Sequence, residues 1–179
     1  MKSKIKYLSY LIKEDSPRYG DKGIVQLKKT NKISNGDTSN NSTLFFSAHL
    51  GTHIDAPFHF SKKGKVIDNY DADFWIFNKP YLIEYNAKED QIINLNNIYS
   101  KLLNMPSLTD ILIIKTGFST FRNSNRNKYI FHNPGIDPDI GFWLRENSSV
   151  RMIGFDFISL SSYQNRILGR EAHKAFLDD

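Results

Sequence analysis

Asp110-Ile111-Leu112-Ile113-Ile114-Lys115-Thr116-Gly117 decides the fold. An unbroken apolar run between charged residues is what a strand buried on both faces looks like, and Thr116-Gly117 supplies a turn at its carboxyl end. Working outward, Val150 to Phe155 repeats the pattern and ends at Asp156. Between these strands, Asp139 to Glu146 follows Pro138 and reads as a helix. On the N-terminal side, Leu95, Ile98, Tyr99, Leu102 and Leu103 fall at helical spacing, and the 74–85 stretch gives a strand centred on Tyr81–Tyr85. Glu171 to Leu177 belongs to a terminal helix. Farther out, Ile5–Ile12 is expected to be an early strand, closed by the turn residues Glu14–Gly20, and Ile24–Lys28 a second. Asn31–Ser42, with Asn35-Gly36-Asp37, is expected to be a loop or hairpin tip, and Thr43–Ser47 a strand. Strands alternating with helices indicate an α/β fold, a single domain over residues 1–179 with a mixed, mostly buried sheet flanked by helices.

A length of 179 residues suits one domain with a real core. The 40% hydrophobic content is that of a globular chain and not of a disordered one. The net charge of +5 raises the question of nucleic acid, but the basic residues lie in small groups such as Lys28/Lys29/Lys32 and Lys62/Lys63/Lys65. No helix-turn-helix, zinc-finger or RNP pattern accompanies them, so a solvated surface and no nucleic-acid partner are expected. With no cysteine, any metal here depends on His, Asp, Glu, backbone and water. The apolar stretch Tyr7–Ile12 is short and runs into Lys13-Glu14-Asp15, and no apolar run reaches membrane-spanning length. The expectation is a cytoplasmic protein with no membrane partner.

The chemistry concentrates in His49-Leu50-Gly51-Thr52-His53-Ile54-Asp55-Ala56-Pro57-Phe58-His59, which holds three of the five histidines. Imidazoles and a carboxylate at this density are what a metal-assisted hydrolytic site needs. Apolar flanks at Leu44-Phe45-Phe46, Phe58 and Phe60 predict that the segment is drawn inward as a buried site. Pro57, Gly51, Thr52 and Ile54 all disfavour a helix, and an extended segment would put His49, Gly51, His53 and Asp55 on one face. At roughly 3.3 Å per residue, His49 and His53 would then be about 13 Å apart at Cα, too far for one tetrahedral ion, so a bend at Gly51 is expected. His59 can reach the same site after the Pro57 turn, either to transfer a proton or as a fourth ligand. His132 reads as a loop residue.

The pattern H-x-G-T-H-x-D-x-P-x-H resembles the hallmark of the metal-dependent cyclase family, which includes bacterial kynurenine formamidases and isatin hydrolases. Leu8-Ser9-Tyr10 with Ser16-Pro17-Arg18-Tyr19-Gly20, Ile113–Gly117, Asn133-Pro134-Gly135-Ile136, Ile153-Gly154-Phe155-Asp156 through Ser159, and Glu171-Ala172-His173 are also similar to family segments, in order and nearly end to end. The resemblance implies a cyclase-like swivelling β/α fold. It implies that His49, His53 and Asp55 bind a first metal, Asp55 bridges to a second, His173 belongs to that second site, His59 transfers protons, and Tyr19 lines the substrate pocket. Asp156 is given a structural or supporting role. The family's further metal-binding Glu, roughly a dozen residues beyond the position of His173, has no counterpart here. The chain therefore reads as either a shortened member or a truncated one, without the family's final strand, with one Zn²⁺ or Mn²⁺ ion expected and the second site in question.

The implied function is metal-dependent hydrolysis of a small amide, an arylformamide such as N-formylkynurenine or a cyclic amide. Metal-activated water would attack the carbonyl and His59 would serve the departing nitrogen. A homo-oligomer, dimer or tetramer, is implied as well. The alternative is a degenerate member that binds a ligand or partner without turnover.

Overall fold

The computed structural model describes residues 6–177, which divide into two units between Ile54 and Asp55. In the first unit the expected strand at Ile5–Ile12 is absent over residues 6–12, and Ile5 lies outside the described residues. Apolar alternation does not make a strand unless its N–H and C=O groups find a partner, and here Tyr7 and Leu8 stand almost wholly exposed. The turn that follows is built as expected. Ser16 N–H donates to the Lys13 carbonyl at 3.0 Å, Lys13 N–H donates to Ser16 Oγ at 2.9 Å, and Tyr19–Asp21 makes a 3₁₀ turn.

β1 (Gln26–Asn31) and β2 (Asn41–Phe45) form an antiparallel hairpin with Leu27 opposite Leu44. The tip carries a 3₁₀ turn at Ile33–Asn35, closed by Gly36 at φ +90°. Lys32 N–H donates to Asp37 Oδ2 at 2.6 Å, and the Asx side chain thereby satisfies backbone that the loop leaves unpaired. β1 starts two residues later than Ile24, and β2 ends two residues before Ser47. Every residue of β2 is exposed, so no buried face pins the pairing, and the tip and a bulge between Lys29 and Asn31 set it instead.

The second unit holds β3 (Pro80–Glu84), β4 (Ile92–Ile93), α1 (Leu95–Leu103), β5 (Ile111–Lys115), α2 (Phe121–Ser124), α3 (Arg126–Phe131), β6 (Gly135–Ile136), α4 (Pro138–Asn147), β7 (Met152–Phe155) and α5 (Arg166–Leu177). β3, β5 and β7 form a parallel sheet with β5 in the centre, and β4 pairs with β6 in a second, two-stranded parallel sheet. The α/β class is borne out. Parallel and antiparallel pairing are both present, but in separate sheets.

β5 is less sealed than its sequence suggests. Leu112 and Ile114 are fully buried, while Ile111 and Ile113 on the other face are half-buried. The core gathers Ile83, Leu112 and Ile114 with Ile98 and Leu102 of α1 and Ile140 and Leu144 of α4. α1 starts where predicted because that end is marked. Asn94 Oδ1 accepts from Asn97 N–H at 3.2 Å, and Asn97 Oδ1 accepts from Asn94 N–H at 3.0 Å, so two orphan donors are satisfied reciprocally. α4 starts where Asp137 caps Asp139 N–H at 3.0 Å with Pro138 in the first turn.

The carboxyl ends of β5 and β7 are tied by one side chain. Asp156 accepts from Thr116 N–H (2.7 Å), Thr116 Oγ1 (2.6 Å), Gly117 N–H (2.9 Å) and Ser119 Oγ (3.3 Å). This is the structural role expected of it. Among the described residues no helix is long and apolar enough to cross a membrane.

Candidate metal centre

The His49–His59 segment straddles the boundary between the units, with two histidines before it and the carboxylate and third histidine after it. In the first unit the chain bends at Gly51, whose φ of +66° lies in the left-handed region where a Cβ is costly. The predicted bend is therefore present. His53 Nδ1 lies 2.9 Å from the Gly51 carbonyl. A carbonyl oxygen can only accept, so Nδ1 carries the proton and Nε2 presents its lone pair. His49 Nδ1 is 3.3 Å from that Nε2, with the rings edge-on at 5.2 Å. Two nitrogens about 2.0–2.1 Å from one tetrahedral ion would stand roughly 3.4 Å apart, so the spacing fits two ligands of a single zinc.

In the second unit a 3₁₀ turn at Pro57–His59 follows Asp55, held by Phe58 N–H donating to the Lys65 carbonyl at 3.0 Å. His173 comes from the middle of α5, where it is buried and stacked on Phe60 with ring centres 4.5 Å apart. Its Nε2 is turned toward Asp55, 3.9 Å from Oδ2. The His59 ring stands 5.8 Å from the His173 ring and 4.6 Å from that of Phe60. Asp55, His59 and His173 are thus brought together although 118 positions separate the first from the last.

Burial departs from expectation. His49, His53 and His59 are exposed and Asp55 is half-buried, and Leu44, Phe45 and Phe58 stay largely exposed too. The apolar flanks do not draw the segment inward because they sit on a hairpin exposed on both faces and on a one-turn helix. Tyr19 is half-buried in its 3₁₀ turn. His132 caps the end of α3 as a loop residue, 3.0 Å from Asp90 Oδ2. Phe60, read from the sequence only as an apolar flank, surrounds His173 together with Ser161 and Gly169, which were not picked out. Nothing in the spacing pointed to Ser161 or Gly169.

A separate cavity of about 320 Å³ lies at the carboxyl ends of β3 and β5, lined by Glu84, Tyr85, Asn86, Lys101, Lys115 and Gly117. Lys115 Nζ pairs with Glu84 Oε1 at 2.6 Å, and Lys101 Nζ donates to the Glu84 carbonyl. The hydrogen bond and charge of Lys115 hold the Glu84 carboxyl below its usual range and raise the lysine in turn. Both lysines are committed to Glu84, so this cavity offers a ligand little uncompensated charge.

Residues 7–162 match the family described as putative cyclase. The chain belongs to the putative cyclase family. Among family relatives it is similar to a kynurenine formamidase from Geobacillus thermodenitrificans (strain NG80-2), 32% identical over 149 residues that make up 83% of this chain and 66% of that protein. It is also similar to cyclase-like protein 3 of Arabidopsis thaliana, 29% identical over 133 residues, 73% of this chain and 48% of that protein. The chain spans about half the length of the plant cyclase-like proteins it matches. Its fold is that of isatin hydrolase A from Labrenzia aggregata, solved bound to benzyl benzoate, with a TM-score of 0.76 over 95% of this chain and 75% of that one at 18% identity.

Proposed function

We propose that this cyclase-family chain is a metal-dependent hydrolase acting on the C–N bond of a small amide, an arylformamide or a cyclic amide. The observation that carries it is the histidine pair at the Gly51 bend. His53 is fixed with Nε2 as the lone-pair nitrogen, at a ligand-to-ligand spacing from His49 Nδ1. His49, His53 and Asp55 would hold the ion, with His173 as a further ligand. A bound Zn²⁺ or Mn²⁺ would polarise the substrate carbonyl and activate water. The similarity to a kynurenine formamidase favours formamides among small amides.

The residues of the chain divide the remaining work. His59 is exposed at the end of its 3₁₀ turn and leans on Phe60, which leaves its ring accessible to solvent. There it takes a proton from the attacking water and returns it to the departing nitrogen. Phe60 covers one face of His173 and keeps water from it. Tyr19 is proposed as an aromatic wall for the substrate. We also propose that the protein works as a homo-oligomer, because Ile24, Ile33, Leu44 and Phe45 leave apolar surface exposed on and beside the hairpin.

The test is an arylformamidase assay on metal-loaded protein, with metal content measured on the same samples. His59→Ala is expected to keep its metal and lose roughly 10²–10⁴-fold in rate, the usual worth of general acid–base catalysis. Loss of metal together with rate would make His59 a ligand. No turnover of formamides or cyclic amides by the metal-loaded wild type would leave a ligand-binding protein.

A further inference from the structure

His173 is held from behind by backbone and hydroxyl groups. Its Nδ1 lies 2.7 Å from the carbonyl of Gly169, one turn earlier on α5, and 3.3 Å from Ser161 Oγ. The carbonyl can only accept, so the proton sits on Nδ1, and the Ser161 oxygen is a second acceptor beside it. Nε2 is then the lone-pair nitrogen, and it is the atom turned to Asp55 Oδ2 at 3.9 Å.

Gly169 is where this arrangement needs a missing side chain. A Cβ there would stand 2.1 Å from Ser161 Oγ, 2.3 Å from its Cβ and 2.8 Å from its Cα. Ser161 is seated against the bare helix backbone, and any larger residue at 169 must push it away. Ser161 is fixed in turn by Asn133, which is fully buried. The Asn133 amide nitrogen donates to the carbonyls of Ser161 and Pro134, each at 2.8 Å, and lies 3.3 Å from that of Ser159. Its side-chain oxygen accepts from Tyr163 N–H at 3.2 Å. One side chain therefore grips the loop on both sides of Ser161.

We propose that Ser161 and Gly169 are positioning residues which, with Asn133 fixing the 159–163 loop, keep the His173 imidazole protonated on Nδ1 and turned through Nε2 toward Asp55. The value of this orientation for metal binding rests on the function proposed above, whereas the orientation itself rests on contacts within the second unit. Groups that orient a metal-binding histidine typically matter 10–100-fold in metal affinity.

The experiment is two-bond ¹H–¹⁵N spectroscopy of the full chain, histidine-labelled and stripped of metal, at about pH 8, above the ordinary imidazole pKa of about 6.5. The His173 signal is assigned by its loss in His173→Gln. Wild type is expected to show the Nδ1–H form. Ser161→Ala, with its fold checked by the amide spectrum, is expected to show a mixture of tautomers and a Zn²⁺ affinity about 10–100-fold lower. An Nε2–H form in the wild type overturns the inference, whatever the variants do. Unchanged tautomer and unchanged Zn²⁺ affinity in Ser161→Ala overturn the role of Ser161. An Nδ1–H wild type that binds no Zn²⁺ upholds the orientation and removes the metal function instead.

Discussion

β5 and β2 are both five residues long and both end one loop away from chemistry, yet they are held by different means. β5 lies between two strands with Leu112 and Ile114 wholly buried, whereas β2 has one partner and leaves Leu44 59% and Phe45 62% exposed. In β5 the core fixes the register, since a slip of one residue would exchange the buried and half-buried faces. In β2 only the Gly36 tip and the bulge near Lys29 resist a slip. The histidines follow the same division: His173 is built into a buried helix face, while His49 and His53 sit on an exposed bend.

The widest gap should appear in stability. Leu112→Ala is expected to cost about 2–5 kcal/mol, as a fully buried leucine that leaves a cavity. Leu44→Ala is expected to stay within about 0.5 kcal/mol. Chemical denaturation of both variants measures the contrast, and equal losses would mean that the hairpin is buried in the working protein. A smaller effect belongs to the clasp between β5 and β7. Asp156→Ala strands the N–H groups of Thr116 and Gly117 and should cost about 1–3 kcal/mol, read in the same way.

The smallest effect is one of pH. Burial works to raise the pKa of Asp110, but hydrogen bonds from the N–H groups of Asn78 (2.7 Å) and Lys79 (3.0 Å), its own backbone and the charge of Arg151 outweigh it. The carboxyl is held below its usual range, so its contribution to stability is complete above the unfolded pKa of about 3.9. It is lost as pH falls through the lower folded value. The stability difference between wild type and Asp110→Asn should therefore be flat above about pH 5 and shrink at lower pH. A difference that grows on acidification would reverse the sign of the shift.

The same comparison explains what could be read in advance. α1, β5, α4 and β7 were legible to within two residues because each carries an apolar stripe or run bounded by Asn94, Thr116-Gly117, Pro138 or Asp156, although β7 is half-buried throughout and not buried as expected. The 6–12 segment misled because apolar alternation alone does not make a strand, and β1 and β2 were displaced because nothing buried anchors them. Short elements such as β4, β6, α2 and α3 carry too few residues for a period to show. At the site, the histidines and Asp55 were visible as residue types and the bend followed from chain length. Their exposure was not visible, since it depends on what covers the hairpin. The Asn133–Ser161–Gly169 support was not visible either, since contacts among distant small residues leave no periodic trace.

On the function proposed here, the exposed pair at the Gly51 bend binds metal. Calorimetric titration of the metal-stripped chain with Zn²⁺ tests it most directly. Wild type should bind Zn²⁺, and His49→Ala and His53→Ala should each weaken binding by at least about tenfold while the metal-free proteins unfold at the same denaturant concentration. A wild type that takes up no Zn²⁺, or variants that bind it as tightly as wild type, would contradict the account.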